Sequence, residues 1–82
     1  MVLAYRERVI GVETREQYVE QSKERARTLL SVGRTREAVA SMIMDMRKHP
    51  NCEVAPEIHA FGICAATAGD AAATRAYIEG FA

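Results

Sequence analysis

Eighty-two residues suffice for one small domain, and a chain of this length buries only roughly 60–65% of its unfolded surface. An apolar content of 49% excludes a disordered chain, while eleven basic and eleven acidic side chains cancel and leave no global field to draw in nucleic acid or anionic lipid. With no tryptophan, three tyrosines and two phenylalanines, little is available for base stacking.

Residues 1–12 form a segment of their own. Val2, Leu3, Ala4 and Tyr5, then Val9, Ile10 and Val12, flank the charged trio Arg6-Glu7-Arg8; a short strand, an extended arm or a first helical turn all fit, and Gly11 is a natural break. The segment is too apolar for a solvated tail. It is expected to pack on the helical domain or on a second copy, with Val2, Leu3, Tyr5, Val9 and Ile10 as oligomer contacts. The start runs straight into Arg6-Glu7-Arg8 with no apolar stretch of export length. No run approaches the ~20 apolar residues that span a bilayer. A cytoplasmic location is therefore expected, away from membranes, with Cys52 and Cys64 as free thiols in a reducing compartment.

Residues 13–82 read as a single helical domain. Thr14-Arg15-Glu16-Gln17 is a capping-box sequence, in which the Thr hydroxyl serves the third amide and the Gln side chain reaches back. In the helix that follows, Tyr18, Val19, Ser22, Ala26, Leu29 and Leu30 share one face. Glu20–Lys23 and Glu24–Arg27 fall at pairing distance on the other face. Gly33 is placed to end this helix in a left-handed conformation that costs little only for glycine.

Thr35 is expected to cap a second helix running to about Lys48, with Ala38, Val39, Met42, Ile43 and Met46 facing inward. His49-Pro50 stops it, because proline restricts its predecessor and lacks the amide the ladder needs. After the loop Asn51–Ala55, Pro56 suits the first position of a third helix reaching about Ala68. Ile58, Phe61, Gly62 and Ala65 line one side of it and Ala60, Ile63, Cys64 and Ala66 the others, a nearly all-round apolar pattern that predicts burial. Gly69 ends it and Asp70 caps a fourth helix anchored by Tyr77, Ile78 and Phe81, with Gly80 expected to let the last two residues fray.

The pattern Ser22-x3-Ala26-x2-Leu29-x3-Gly33-x4-Ala38-x3-Met42 is echoed by Ile58-x2-Phe61-Gly62-x2-Ala65-x3-Gly69-x4-Thr74-x3-Ile78, and the two glycines stand 36 residues apart. The predicted fold is all-α: four helices as two stacked helix-turn-helix hairpins.

Gly33, Glu37-Ala38-Val39 and Pro50 are spaced as in a tetratricopeptide repeat, which the architecture resembles, although Thr74 replaces the second alanine and the second unit lacks its proline. The run Val32-Gly33-Arg34-Thr35-Arg36-Glu37-Ala38-Val39-Ala40-Ser41-Met42, with Lys48-His49-Pro50 and the tail Ile78-Glu79-Gly80-Phe81, is similar to small proteins from phages of actinobacteria. Those proteins share a Gly-Arg-x-Arg-Glu-Ala-Val-x-Ser-Met core and a Lys-His-Pro end. The N-terminal segment and the Ala71–Ala73 stretch match poorly. The resemblance implies a non-virion phage product in the host cytoplasm and brings no activity with it.

Chemistry-bearing residues are sparse. His49, Cys52, His59 and Cys64 are zinc-ligand types, but His59 and Cys64 diverge around a helix and no Cys-x2-Cys pair exists; the expected pattern is a loop cysteine, a buried cysteine and no metal site. His49 and Cys52 lack an orienting third group and an oxyanion nest, and no glycine-rich phosphate loop appears, so neither an enzyme nor a cofactor is expected.

The basic residues Lys23, Arg25, Arg27, Arg34 and Arg36 gather about the first turn, yet the second helix carries Met-Ile-Met-Asp-Met where base edges would be read. Met44 lies on the back of that helix beside Ala40 and Arg47, an apolar residue with a charged edge where a partner can dock. The expected function is non-enzymatic protein–protein interaction with a host bacterial factor through Met44, Arg47, Arg34 and Arg36, in a homodimer. The alternative is a small DNA-associated regulator working through Arg34 and Arg36.

Overall fold

The computed structural model of the protein describes residues 14–81, so the expectations for Val2, Leu3, Tyr5, Val9 and Ile10 lie outside the described residues. The described chain is all-α. Helix α1 spans Arg15–Ser31, α2 Thr35–Lys48, α3 Pro56–Thr67 and α4 Ala71–Glu79, with a single 3-10 turn at Pro50–Cys52 between α2 and α3.

Helix α1 starts as the capping-box sequence dictates. The Gln17 amide donates to Thr14 Oγ1 at 3.0 Å and the Thr14 amide donates to Gln17 Oε1 at 2.9 Å, so two otherwise orphaned N–H groups are satisfied reciprocally. Its inner face buries Val19, Ser22, Ala26 and Leu30.

The helix ends at Gly33, whose φ of 82° lies in the left-handed region. The Gly33 amide donates to Leu30 O at 3.0 Å and the Arg34 amide to Leu29 O at 2.9 Å, which is the Schellman arrangement. The turn after α3 repeats it: Gly69 has φ 69°, its amide donates to Ala66 O and that of Asp70 to Ala65 O. The sequence echo is thus a structural echo at both reversals.

That equivalence corrects the expected cap of α2. In both turns the residue after glycine completes one helix and is already the N-cap of the next. At the second turn this is Asp70, whose carboxylate accepts from the Ala73 amide at 3.0 Å. At the first turn the same place holds Arg34, which has no side-chain acceptor, and Thr35 is already the first helical residue. No position is left between turn and helix for Thr35 to cap from.

The core gathers Val19, Ala26 and Leu30 of α1, Ala38, Val39, Met42 and Met46 of α2, Ala66 of α3, and Tyr77, Ile78 and Phe81 around α4. Cys52, carried in by the 3-10 turn, is fully buried, whereas Cys64 is exposed; the buried cysteine is the loop one, because the turn folds inward while Cys64 faces solvent on α3. Phe81 is packed at 6% exposure and does not fray, since its ring meets Tyr77 edge-on with centroids 5.1 Å apart.

Helix α1 packs on α2 and α4, and α2 also meets α3 and α4. Among the described elements, helix α3 packs on α2 and α4 and on no other helix, so it lies at the edge of the described bundle. The expectation of an all-round buried α3 fails for this reason. Its buried residues are the small ones, Gly62, Ala65 and Ala66, while Ile58, Phe61 and Ile63 are 45%, 50% and 51% exposed. Gly62 permits the close approach: a Cβ there would stand 2.8 Å from the Tyr77 ring.

Polar ties hold the helix ends together. Tyr18 Oη donates to Asp45 O at 2.6 Å, Arg15 Nε donates to Asn51 O at 2.8 Å, and Arg25 pairs with the buried Asp45 carboxylate. Arg27 does not pair with Glu24. It grips Glu79 of α4 in bidentate fashion, from Nε at 2.7 Å and Nη2 at 2.8 Å, and reaches Glu20 from Nη1 at 2.9 Å. Lys23 donates to Glu79 O at 3.4 Å and is not paired with Glu20.

Two expected outcomes test this packing. Gly62→Val drives two methyl groups into the Tyr77 ring, and overpacking of that kind costs about 1–3 kcal/mol, more than the few tenths gained in helix propensity. Urea denaturation should therefore show a lower midpoint, and an unchanged one would disprove the close contact. The hydrogen bond from Arg27 holds the Glu79 carboxyl below its ordinary value of 4.5. A depressed carboxyl contributes stability that is complete above that value and drains away as pH falls through its folded pKa. The thermal midpoint of Glu79→Gln should lie below that of the parent at neutral pH and converge with it in acid; a gap that persists in acid contradicts the pairing.

Candidate functional site

Among the described residues, the face of the bundle that carries α3 exposes three large apolar side chains, Ile58, Phe61 and Ile63. A furrow runs between α2 and α3, made of two adjoining hollows of about 430 and 470 Å³ that share Ile43 and Ile63. The helices run antiparallel, so Arg36 at the start of α2 faces Thr67 at the end of α3, and Arg47 faces Pro56 and His59. From α2 the wall is Arg36, Ala40, Ile43 and Arg47, spaced four, three and four residues apart on one helical face. At 1.5 Å per residue the two arginines stand about 16 Å apart along the helix. From α3 the wall is His59, Ala60 and Ile63.

The floor is apolar and the ends are charged. Among the described residues neither Arg36 nor Arg47 forms an ion pair, and both are exposed. Glu53 stands at the Arg47 end. Met44 is 57% exposed and lies one step around α2 from Ala40 and Arg47, on the solvent side of the furrow. The site residues expected from the sequence are thereby separated. Arg36, Met44 and Arg47 belong to this face, whereas Arg34 turns to Glu37, its Nη1 donating at 3.2 Å.

The basic cluster of the first turn is dispersed in the same way. Arg25 is taken by Asp45, Arg27 by Glu79 and Glu20, Lys23 by Glu79 O and Arg34 by Glu37. Of the five residues only Arg36 keeps a guanidinium without a carboxylate partner among the described residues.

His59, weighed from the sequence only as a zinc-ligand type, has a structural place the sequence did not indicate. It lines the furrow on one side, and on the other its Nδ1 is hydrogen-bonded to Tyr77 Oη at 2.8 Å, with the Tyr77 and Phe81 rings both at 6.2 Å. Burial, with the nearby positive charge of Arg47 adding to it, lowers the His59 pKa below 6.5, so the ring is neutral at pH 7. Burial also raises the Tyr77 phenol above its ordinary value. The pair is a neutral, uncharged strut between α3 and α4. The signal that pointed to it was the mid-helix Gly62 opposite a fourth-helix tyrosine.

Ile58, Phe61 and Ile63 were also misplaced by the sequence reading, as core. A stripe of small residues, Gly62, Ala65 and Ala66, marked the true contact face.

Among the described residues, no three His, Cys, Asp or Glu side chains converge as metal ligands. His49 accepts the Asn51 amide on Nδ1 at 3.1 Å and packs on the Tyr18 ring at 4.8 Å. No described helix is long and apolar enough to cross a membrane. Set against protein-family models, curated proteins and solved structures, the chain matches none. What the furrow offers chemically is burial of an apolar stripe, framed by positive charge.

The neutral strut is open to measurement. A lowered histidine contributes stability that is complete above its unfolded value near 6.5 and is lost as pH falls below it. In an NMR titration the His59 ring should show a midpoint under 6.5, and Arg47→Gln should raise it only part of the way, because burial is the larger cause. A midpoint at or above 6.5 would contradict the packing of His59.

Proposed function

We propose that the chain is a non-enzymatic, phage-encoded docking domain whose α2–α3 furrow receives an amphipathic helix from a host bacterial protein. The observation that carries this reading is Ile63, half exposed on the wall of an apolar furrow with, at either end, an arginine that has no carboxylate partner among the described residues. A helix laid along such a channel buries one apolar stripe and presents anchors every three or four residues. Acidic side chains about three turns apart on that helix meet Arg36 and Arg47, which sets orientation and speeds encounter more than it adds affinity. Met44 widens the contact on the solvent side, and methionine adapts readily to a partner surface.

A duplex-binding role has less support. Four of the five basic residues about the first turn have acceptors within the chain, and phosphate binding draws on arginine and lysine free to neutralise it. The likeness to small actinobacterial phage proteins supports a host protein as the partner.

Photo-crosslinking in host lysate tests the reading. A crosslinker at Met44 should capture a partner, and Ile63→Glu should weaken that capture by at least about tenfold, equal to about 1.4 kcal/mol. Glu24→Lys, on the far face of α1, should leave it unchanged. Retention by Ile63→Glu, loss by Glu24→Lys, or a salt-sensitive gel shift of mixed-sequence duplex instead of a protein adduct would each refute it.

A further inference from the structure

A second apolar hollow lies on the other side of α3. It is a groove of about 330 Å³ between α3 and α4, with Ile58 and Phe61 on one wall, Ala76 and Tyr77 on the other, and Phe81 at one end. Both wall residues of α3 are about half exposed, and among the described residues the only charged one lining the groove is Arg15.

We propose that this groove is covered by the chain's own N-terminal segment, with Val9, Ile10 and Val12 seated against Ile58 and Phe61. The occupant is argued from where the chain enters. Arg15 opens α1 and itself lines the groove, pinned there by its hydrogen bond to Asn51 O at 2.8 Å. Residue 14 is therefore at the mouth of the hollow. A chain advances at most about 3.3–3.6 Å per residue, so Val12, Ile10 and Val9 fall within roughly 7, 14 and 18 Å of Thr14. The wall they must meet is short, since Ile58 and Phe61 are one turn apart, about 4.5 Å along α3.

The chemistry matches as well. Residues 2–12 hold seven apolar side chains, and the outer face of α1, which follows them, is charged and offers an apolar segment no matching surface. Tethering decides between this segment and a free competitor. A short link gives an effective concentration in the millimolar range, so even an affinity of about 0.1 mM fills the groove from the same chain, while a second copy at micromolar concentration does not compete. The inference is independent of the α2–α3 furrow, which lies across α3 and takes the external partner.

A double-mutant cycle in the full chain tests it. Phe61→Ser should lower the thermal midpoint by about 5 °C or more, far beyond the small effect expected of a solvated side chain. Replacing Val9, Ile10 and Val12 together by serine should lower it similarly. Combining the two sets should lower it little further, because each removes the same contact. Additive shifts, or a Phe61→Ser chain that melts like the parent, would overturn the proposal. A photo-reactive p-benzoylphenylalanine at position 10 gives a second readout that does not depend on stability. It should crosslink within the monomer to the peptide holding Ile58 and Phe61. An adduct confined to a dimer band would assign the groove to a second copy instead, and an adduct elsewhere on the chain would remove the cis contact.

Discussion

The structure depends on how closely α3 approaches α4. Gly62 lies against the Tyr77 ring, and Ala65 and Ala66 continue the same narrow seam. Small residues bring the two backbones together, and the volume thereby removed from the interior is displaced outward as Ile58, Phe61 and Ile63. Both apolar hollows are consequences of this arrangement: an edge helix that turns its small side inward leaves a channel along each flank. His59 and Tyr77, neutral and hydrogen-bonded, hold the seam at one end. Their lack of charge matters, because an ion at that half-buried position would have to be paired or solvated.

Charge plays a different part. The arginines of α1 are occupied in holding the bundle: Arg25 compensates the buried carboxylate of Asp45, and Arg27 ties the first helix to the last through Glu79. Arg36 and Arg47, which have no carboxylate partner among the described residues, are left as two positive points on one stripe of α2. A chain with no net charge can present a directional charge pattern in this way, suited to orienting a helical ligand and weak as a general attractor of polyanions.

The two glycine turns give the molecule its modular character. Each reverses the chain within a single Schellman turn and hands the next residue straight to the following helix. Such turns leave no slack, so the hairpins have fixed geometry, and the furrow between α2 and α3 is set by the loop of residues 49–55 together with the packing of both helices on α4. That loop is in turn anchored, by the buried Cys52 and by Arg15 on Asn51 O. A rigid channel of this kind binds without having to be ordered first, which favours recognition of a preformed helix.

The amino-acid sequence by itself determined the four helices, the capping box at Thr14, the left-handed glycines at 33 and 69, and the inward stripes of α1 and α2. Each is a local property, set by 3.6-residue periodicity, turn stereochemistry or a cap within reach of its own helix. It also marked Met44 as an outward apolar residue and Asp70 as a cap. The tertiary structure alone decided which arginines were consumed by carboxylates up to 52 residues away in the chain, that the loop cysteine is buried and the helical one exposed, and that α3 stands at the edge. An apolar pattern on all sides says that a helix has surface to bury but not whether enough neighbours exist to bury it. Among the four described helices α3 has two such neighbours, and the apolar residues they leave uncovered are the ones on which the proposed docking rests.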